Sequence, residues 1–189
     1  IMDIFAHGLW AGAVYKGANK KLEKPLKVWR AAFWGVFPDL FAFTIGFIWL
    51  FGNFIFGGMS FSDLPRPDLV EPAPDELIFG NGTIQGAASF IVRLTAILYS
   101  ASHSAIIFFI VFGIVFLIFR RPIWELGGWF IHILLDIPTH SYQFYPTPFL
   151  WPLSDWKLDG FSWATPWFLI LNYSVIIIMY WLLRRKKIA

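Results

Sequence analysis

The sequence predicts an all-α integral membrane bundle, and three observations carry that prediction. Hydrophobic residues make up 58% of the 189-residue chain and charged residues only 14%, well below the roughly 25% charged residues of a soluble domain. Apolar segments of near-spanning length recur along the chain, with basic residues clustered at their ends. Aromatic side chains are abundant, with 22 Phe and 11 Trp, as expected where long edges lie at the headgroup level. The length suits a single domain, residues 1–189, of about four transmembrane helices plus a short amphipathic N-terminal helix. The net charge of +3 is small and its sources are clustered, which reads as membrane orientation and not as a nucleic-acid surface. The chain has no Cys. That excludes disulfides and thiolate metal sites, so any metal must take nitrogen and oxygen ligands.

The elements follow in order. The start, Ile1-Met2-Asp3-Ile4, has neither a basic opening nor a long apolar run and predicts no cleavable leader. Residues 3–16 set Ile4, Phe5, Leu9, Trp10 and Val14 against Gly8, Gly12 and His7. This segment is too short and polar to span a bilayer, which takes about 20 apolar residues, and is expected at the interface or dipping into the bundle. A basic stretch follows, Lys16, Lys20, Lys21, Lys24, Lys27 and Arg30, relieved only by Glu23; Pro25 argues against one unbroken helix through it. The first span is expected over residues 31–57, with Pro38-Asp39 near its start. A loop then carries Asp63, Asp68, Glu71, Asp75 and Glu76 against a single Arg66. The second span is expected over residues 94–119, ending at Arg120-Arg121-Pro122. A short third span over residues 123–138 contains Glu125, His132 and Asp136. After a loop rich in Trp, Tyr and Pro, Pro166 opens a fourth span that closes at Leu183, before Arg184-Arg185-Lys186-Lys187. Four spans with both termini cytoplasmic place every basic cluster on the inside, as in a prokaryotic cytoplasmic (inner) membrane.

Ionisable groups inside a membrane cost about 2.5 to 3.5 kcal/mol each on insertion scales, so each one needs a reason. The chain has four His residues, His7, His103, His132 and His140, and three of them lie in or beside a predicted span. Asp39 and Asp136 are the most deeply placed acids. The strongest local signal is His132-Ile-Leu-Leu-Asp136-Ile-Pro-Thr-His140, because residues at i and i+4 share a helix face. His132 and Asp136 can therefore reach one ion together, and a bend at Pro138 can return His140 to it. Gly127 and Gly128, about one turn earlier, allow another helix to pack closely. His103 lies between Ser102 and Ser104 in an apolar span, where serines can orient an imidazole. Taken singly, each of these residues also has a structural reading, as a packing His, a hydrogen-bonded pair or a helix start. Asp3, Glu125, Asp155 and Asp159 read as interfacial or loop charges, and Arg93 as a side chain reaching the interface. What favours a site is that every His in the chain belongs to the same constellation. At about 1.5 Å per residue, straight upright helices would not bring all of these residues level, so tilt and proline breaks must close the gap.

The ordered set of His7-Gly8, Pro38-Asp39, His103-Ser104, His132-x-x-x-Asp136 and Leu150-Trp151-Pro152 resembles a family of membrane-bound metal-dependent hydrolases that includes a LexA-regulated bacterial inner-membrane protein. The resemblance runs from residue 3 to about residue 152. It implies metal-dependent hydrolysis, with a distant likeness to zinc phospholipase C and P1-type nucleases, which cleave phosphoesters. Two departures stand out. Some relatives have Pro-Asp-x-Asp-His where this chain has Pro38-Asp39-Leu40-Phe41-Ala42, and some have His-Arg where it has Leu98-Tyr99. Those lost ligands favour one or two ions over a larger cluster.

The expected chemistry is hydrolysis by metal-activated water. His7, Asp39, His103, His132, Asp136 and His140 are the candidate ligands, and Asp136 and His140 are the candidate catalytic residues, His140 as a ligand or as a general acid/base. Mixed nitrogen and carboxylate ligands suit zinc, with manganese or iron as alternatives. A lipid or other amphipathic substrate, cleaved at a phosphoester, ester or amide bond, fits a site among spans. Two other classes use the same residues: a divalent-metal transporter, and a structural membrane protein in which they serve packing.

Overall fold

The computed structural model describes residues 4–58, 85–142 and 146–184, and the side chains of residues 85–89 lie outside that description. The acidic loop with Asp63 to Glu76, the leading Asp3 and the terminal basic residues after Arg184 also lie outside it. Among the described residues the fold is helical without strands. It comprises α1 (Ile4–Ala18), α2 (Val28–Phe56), α3 (Gln85–Ser102), α4 (Ala105–Phe119), a 3-10 turn (Trp124–Leu126), α5 (Gly127–Thr139) and α6 (Pro166–Arg184).

Two of these, α2 with 29 residues and α6 with 19, are long and apolar enough to cross a membrane. The second expected span is divided. Its two parts, α3 and α4, meet at 66° across His103-Ser104 and count as a third candidate only if the pair is one span. The break has a local cause. Ser104 caps α4, its hydroxyl accepting from the Ile107 N–H at 3.2 Å, and such a cap favours starting a new helix over continuing the old one. The third expected span holds only the 13-residue α5, about 20 Å long at the usual rise and shorter than a hydrocarbon core of about 30 Å.

Burial reverses the soluble pattern. The small and polar face of α1 (Ala6, His7, Gly8, Ala11, Gly12) is buried, whereas Phe5 is 77% exposed. Large apolar side chains also face outward along α2, α4 and α6, including Ile48, Phe51, Leu117, Ile118, Ile170 and Ile177. An apolar exterior of this kind is consistent with contact with lipid. The interior is instead held by small residues that let backbones approach. A Cβ on Gly35 of α2 would come within 2.8 Å of Ala11 and 2.9 Å of the His7 carbonyl, and one on Gly128 of α5 would collide with the Ala31 carbonyl. Both helices pack on α2. The larger side chains Phe108, Leu126, Trp129 and Ile133 form the apolar cluster between α4 and α5. On the far side of α1, Trp10 Nε1 donates to Asn172 Oδ1 at 2.8 Å, and the Tyr180 hydroxyl donates to the Leu9 carbonyl at 3.1 Å; these contacts hold α6.

Candidate metal centre

All six sequence-predicted residues converge. His7 comes from α1, Asp39 from α2 just after Pro38, His103 from the α3–α4 break, and His132 and Asp136 from one face of α5; His140 follows the end of α5. Each is at least 95% buried. The depth mismatch expected of straight helices is closed by the break at His103 and by the chain turning out of helix after Thr139.

Asp136 is the hub. Its Oδ2 lies 3.0 Å from His132 Nε2 and 3.3 Å from His103 Nε2, and its Oδ1 lies 3.1 Å from His7 Nε2 and 3.5 Å from His140 Nε2. Asp39 Oδ1 approaches from α2, 3.5 Å from His103 Nε2 and 3.8 Å from His132 Nε2. Two triads bring their donor atoms within 4.8 Å of one another: His7, Asp39 and His132, and His103, His132 and Asp136. They share His132. An imidazole nitrogen has one lone pair for one ion, so the two triads are overlapping views of a single donor set.

The backbone decides which imidazole nitrogens point inward. His132 Nδ1 is 2.7 Å from the Gly35 carbonyl, and a carbonyl can only accept, so Nδ1 carries the hydrogen and Nε2 is the atom turned toward the carboxylates. His103 Nδ1 likewise donates to the Tyr99 carbonyl at 3.0 Å, with Ser102 Oγ also at 3.0 Å. The two Nε2 atoms then face each other at 3.1 Å, beside two carboxylates. A proton on one of the rings or a metal ion between them would each relieve this contact, and the surrounding His and Asp groups could hold such an ion. Asp39 Oδ2 is buried and without a hydrogen-bond partner among the described residues. A metal ion satisfies several donors at once, and the carbonyl contacts behind the rings are of the kind that orient metal-ligating His.

Packing fixes the ring planes. His7 stacks on His132 with centroids 3.7 Å apart, and Tyr99 stacks on His103 at 3.9 Å. His140 is set apart from both triads, reaching the cluster through Asp136 Oδ1. On its other side, the Tyr99 hydroxyl lies 3.1 Å from His140 Nδ1. Tyr99 thus touches two of the four His residues, and reading the sequence for ionisable groups missed it. Its signal was its position one helical turn before His103, within Leu98-Tyr99. Gly35 was missed as well, since a carbonyl that orients a ring leaves no mark on residue type.

The Leu150-Trp151-Pro152 stretch lies against the break. Phe149 O accepts from Ala105 N at 2.9 Å, and Ser104 Oγ donates to the Trp151 carbonyl. Further along, Gly160 N, Phe161 N and Trp163 N donate to the carbonyls of His140, Pro138 and Thr139 at 2.8, 2.9 and 3.2 Å. This pairing holds the segment that carries His140. The remaining acids are elsewhere. Glu125 accepts from Lys27 N at 3.3 Å and Asp159 from Tyr142 N at 2.9 Å, both as loop contacts, while Asp155 is exposed.

Comparison with known proteins yields no match: no family model fits the chain, and no curated protein and no solved structure matches it. The centre therefore stands on its own geometry.

Proposed function

We propose that this chain is a membrane-embedded metal-dependent hydrolase built around one divalent ion, zinc by the chemistry of its donors. One observation carries the reading. His103 and His132 are each oriented by a backbone carbonyl so that their Nε2 atoms meet at 3.1 Å, with Asp39 and Asp136 beside them. His7, Asp39, His103, His132 and Asp136 supply the ligands. A divalent ion held there supplies Lewis acidity, which makes water nucleophilic near neutral pH and polarises a substrate oxygen.

The other roles belong to the chain. His140 lies beside Asp136 but outside the ligand triads, with Tyr99 on its second nitrogen. That position suits a general acid/base serving the leaving group. Asp136 orients His7 and His140 through Oδ1 while facing His103 and His132 through Oδ2. The apolar exterior favours a lipid-like or otherwise amphipathic substrate, with a phosphoester the leading bond and an ester or amide the alternatives. The basic clusters support four passages with both termini cytoplasmic, α5 and its flanking turns making the third.

Elemental analysis of detergent-purified protein tests the centre. Wild type is expected to hold one zinc or related ion per chain, and His132→Ala and Asp136→Ala to lose it. Metal-free wild type after mild reconstitution would leave these residues as a packing network. Turnover of chromogenic phosphoester and lipid substrates then separates an enzyme from a transporter, for which ion flux into proteoliposomes is the direct assay.

A further inference from the structure

A concavity lies away from the candidate metal centre, between the end of α1, the connection to α2, and the start of α5. Its volume is about 920 Å³, and it is lined by Val14, Tyr15, Ala18, Leu22, Leu26, Trp124 and Ile131 together with Lys21, Glu23 and Lys24. None of the six residues of the metal centre reaches it.

Its walls are fixed by specific contacts. Asn19 and Leu26 close the connection reciprocally, Nδ2 donating to the Leu26 carbonyl and Leu26 N donating to Oδ1, each at 2.8 Å. The Tyr15 hydroxyl donates to the Trp124 carbonyl, tying α1 to the 3-10 turn, and Lys27 N donates to Glu125 Oε1 at 3.3 Å. These bonds shape a cradle before any ligand arrives. They also leave apolar surface open within it: Val14, Leu22 and Trp124 are 45%, 44% and 57% exposed.

Location and charge identify the occupant. The last lining residue of the connection, Leu26, lies two residues before Val28, where α2 begins its apolar run, a place that corresponds to headgroup depth if α2 crosses the membrane. Across residues 16–30 the chain carries six basic residues against Glu23 alone. A soluble anion would answer the lysines but leave the apolar wall wet. A neutral lipid would cover the wall but leave Lys21 and Lys24 with Glu23 as the one acid in the lining. We propose that this cleft binds one phospholipid with an anionic headgroup, its phosphate against Lys21 and Lys24 and its acyl chain along Leu22, Leu26, Trp124 and Ile131. Interfacial basic residues draw anionic lipid in this way, and the preformed apolar wall converts a diffuse attraction into a site.

The test is native mass spectrometry of protein released from nanodiscs containing equal phosphatidylglycerol and phosphatidylcholine. Wild type is expected to retain one phosphatidylglycerol preferentially, undisplaced by millimolar inorganic phosphate. The double variant Lys21→Gln/Lys24→Gln should lose that preference by roughly 30-fold, taking the usual contribution of two interfacial basic residues. The control Lys20→Gln/Lys27→Gln removes the same charge outside the cleft lining and should retain the preference. Equal retention of both lipids by wild type overturns the site, as does equal loss in the two double variants, which would reduce it to general surface charge. Displacement by inorganic phosphate alone would overturn the lipid assignment. Metal content is read in the same samples and is expected to be unchanged.

Discussion

At the scale of single residues, Tyr99 contacts two of the cluster's His residues through different atoms, and on the proposed reading this separates metal holding from proton transfer. Its carbonyl and ring act on His103, whereas its hydroxyl acts on His140. Tyr99→Phe preserves the first pair of contacts and removes the last. Metal content should therefore stay at the wild-type value, while the hydrolytic rate falls about tenfold and its pH profile shifts, since positioned acid/base groups contribute about 10² to 10⁴. Loss of metal in this variant, measured by elemental analysis, would place Tyr99 in the ligand scaffold instead. The residue scale also shows why His and Asp were readable from sequence while Gly35 was not. An ionisable side chain in an apolar span announces its own cost, but the Gly35 contribution is a backbone oxygen that every residue possesses.

At the scale of elements, small residues set the distances on which the site depends. Gly128 brings α5 against the Ala31 carbonyl of α2, and His132 follows one turn later to reach Gly35. Gly128→Ala should lower stability by about 1 to 3 kcal/mol, as overpacking does, and weaken metal retention. Gly113→Ala on α4, where an added Cβ meets nothing within 4 Å, is the control; equal melting temperatures for the two variants would refute the close-packing account. Tyr15 joins α1 to the 3-10 turn, and burial, helped by the Glu125 carboxylate, pushes its hydroxyl up to about 12. The folded protein therefore holds this proton more tightly than the unfolded chain does. Its stabilising effect is complete below the ordinary value of 10.0 and is lost as pH rises toward about 12. Tyr15→Phe should flatten that alkaline decline in a thermal-melt series, and an unchanged slope would show that other groups cause it.

At the scale of the whole molecule, the arrangement is an apolar exterior around a polar hub. Helices from α1 to α6 each contribute to that hub or to its support. The proposed topology, four passages with both termini cytoplasmic, predicts a definite labelling pattern. The native chain lacks Cys, which makes single substitutions clean reporters. Cys placed at Lys20, Arg121 and Lys186 should react with an impermeant thiol reagent only from the cytoplasmic side, and Cys at Asp68 and Asp155 only from the other. Labelling of Arg121 and Asp155 positions from one side would mean that α5 dips and returns without crossing.

Composition, apolar run length and the placement of basic clusters determine the solvent of this protein and hence its helical class, because a bilayer tolerates few other structures. The α2 and α6 helices were legible for that reason, and His132 with Asp136 were legible because a four-residue spacing fixes a shared face. Tertiary structure alone decided the rest. The run from residue 94 to 119 looks continuous in hydropathy, yet it breaks at His103-Ser104 because Ser104 caps a new helix and a distant loop pairs with its first turn. The run after Ile123 yields only a short α5. His7 reaches Asp136 across 129 positions of sequence because Gly35 lets α1 and α2 close together. Spacing along one helix is local geometry and can be read from residue order, whereas a meeting of five elements depends on packing distances that residue order leaves open.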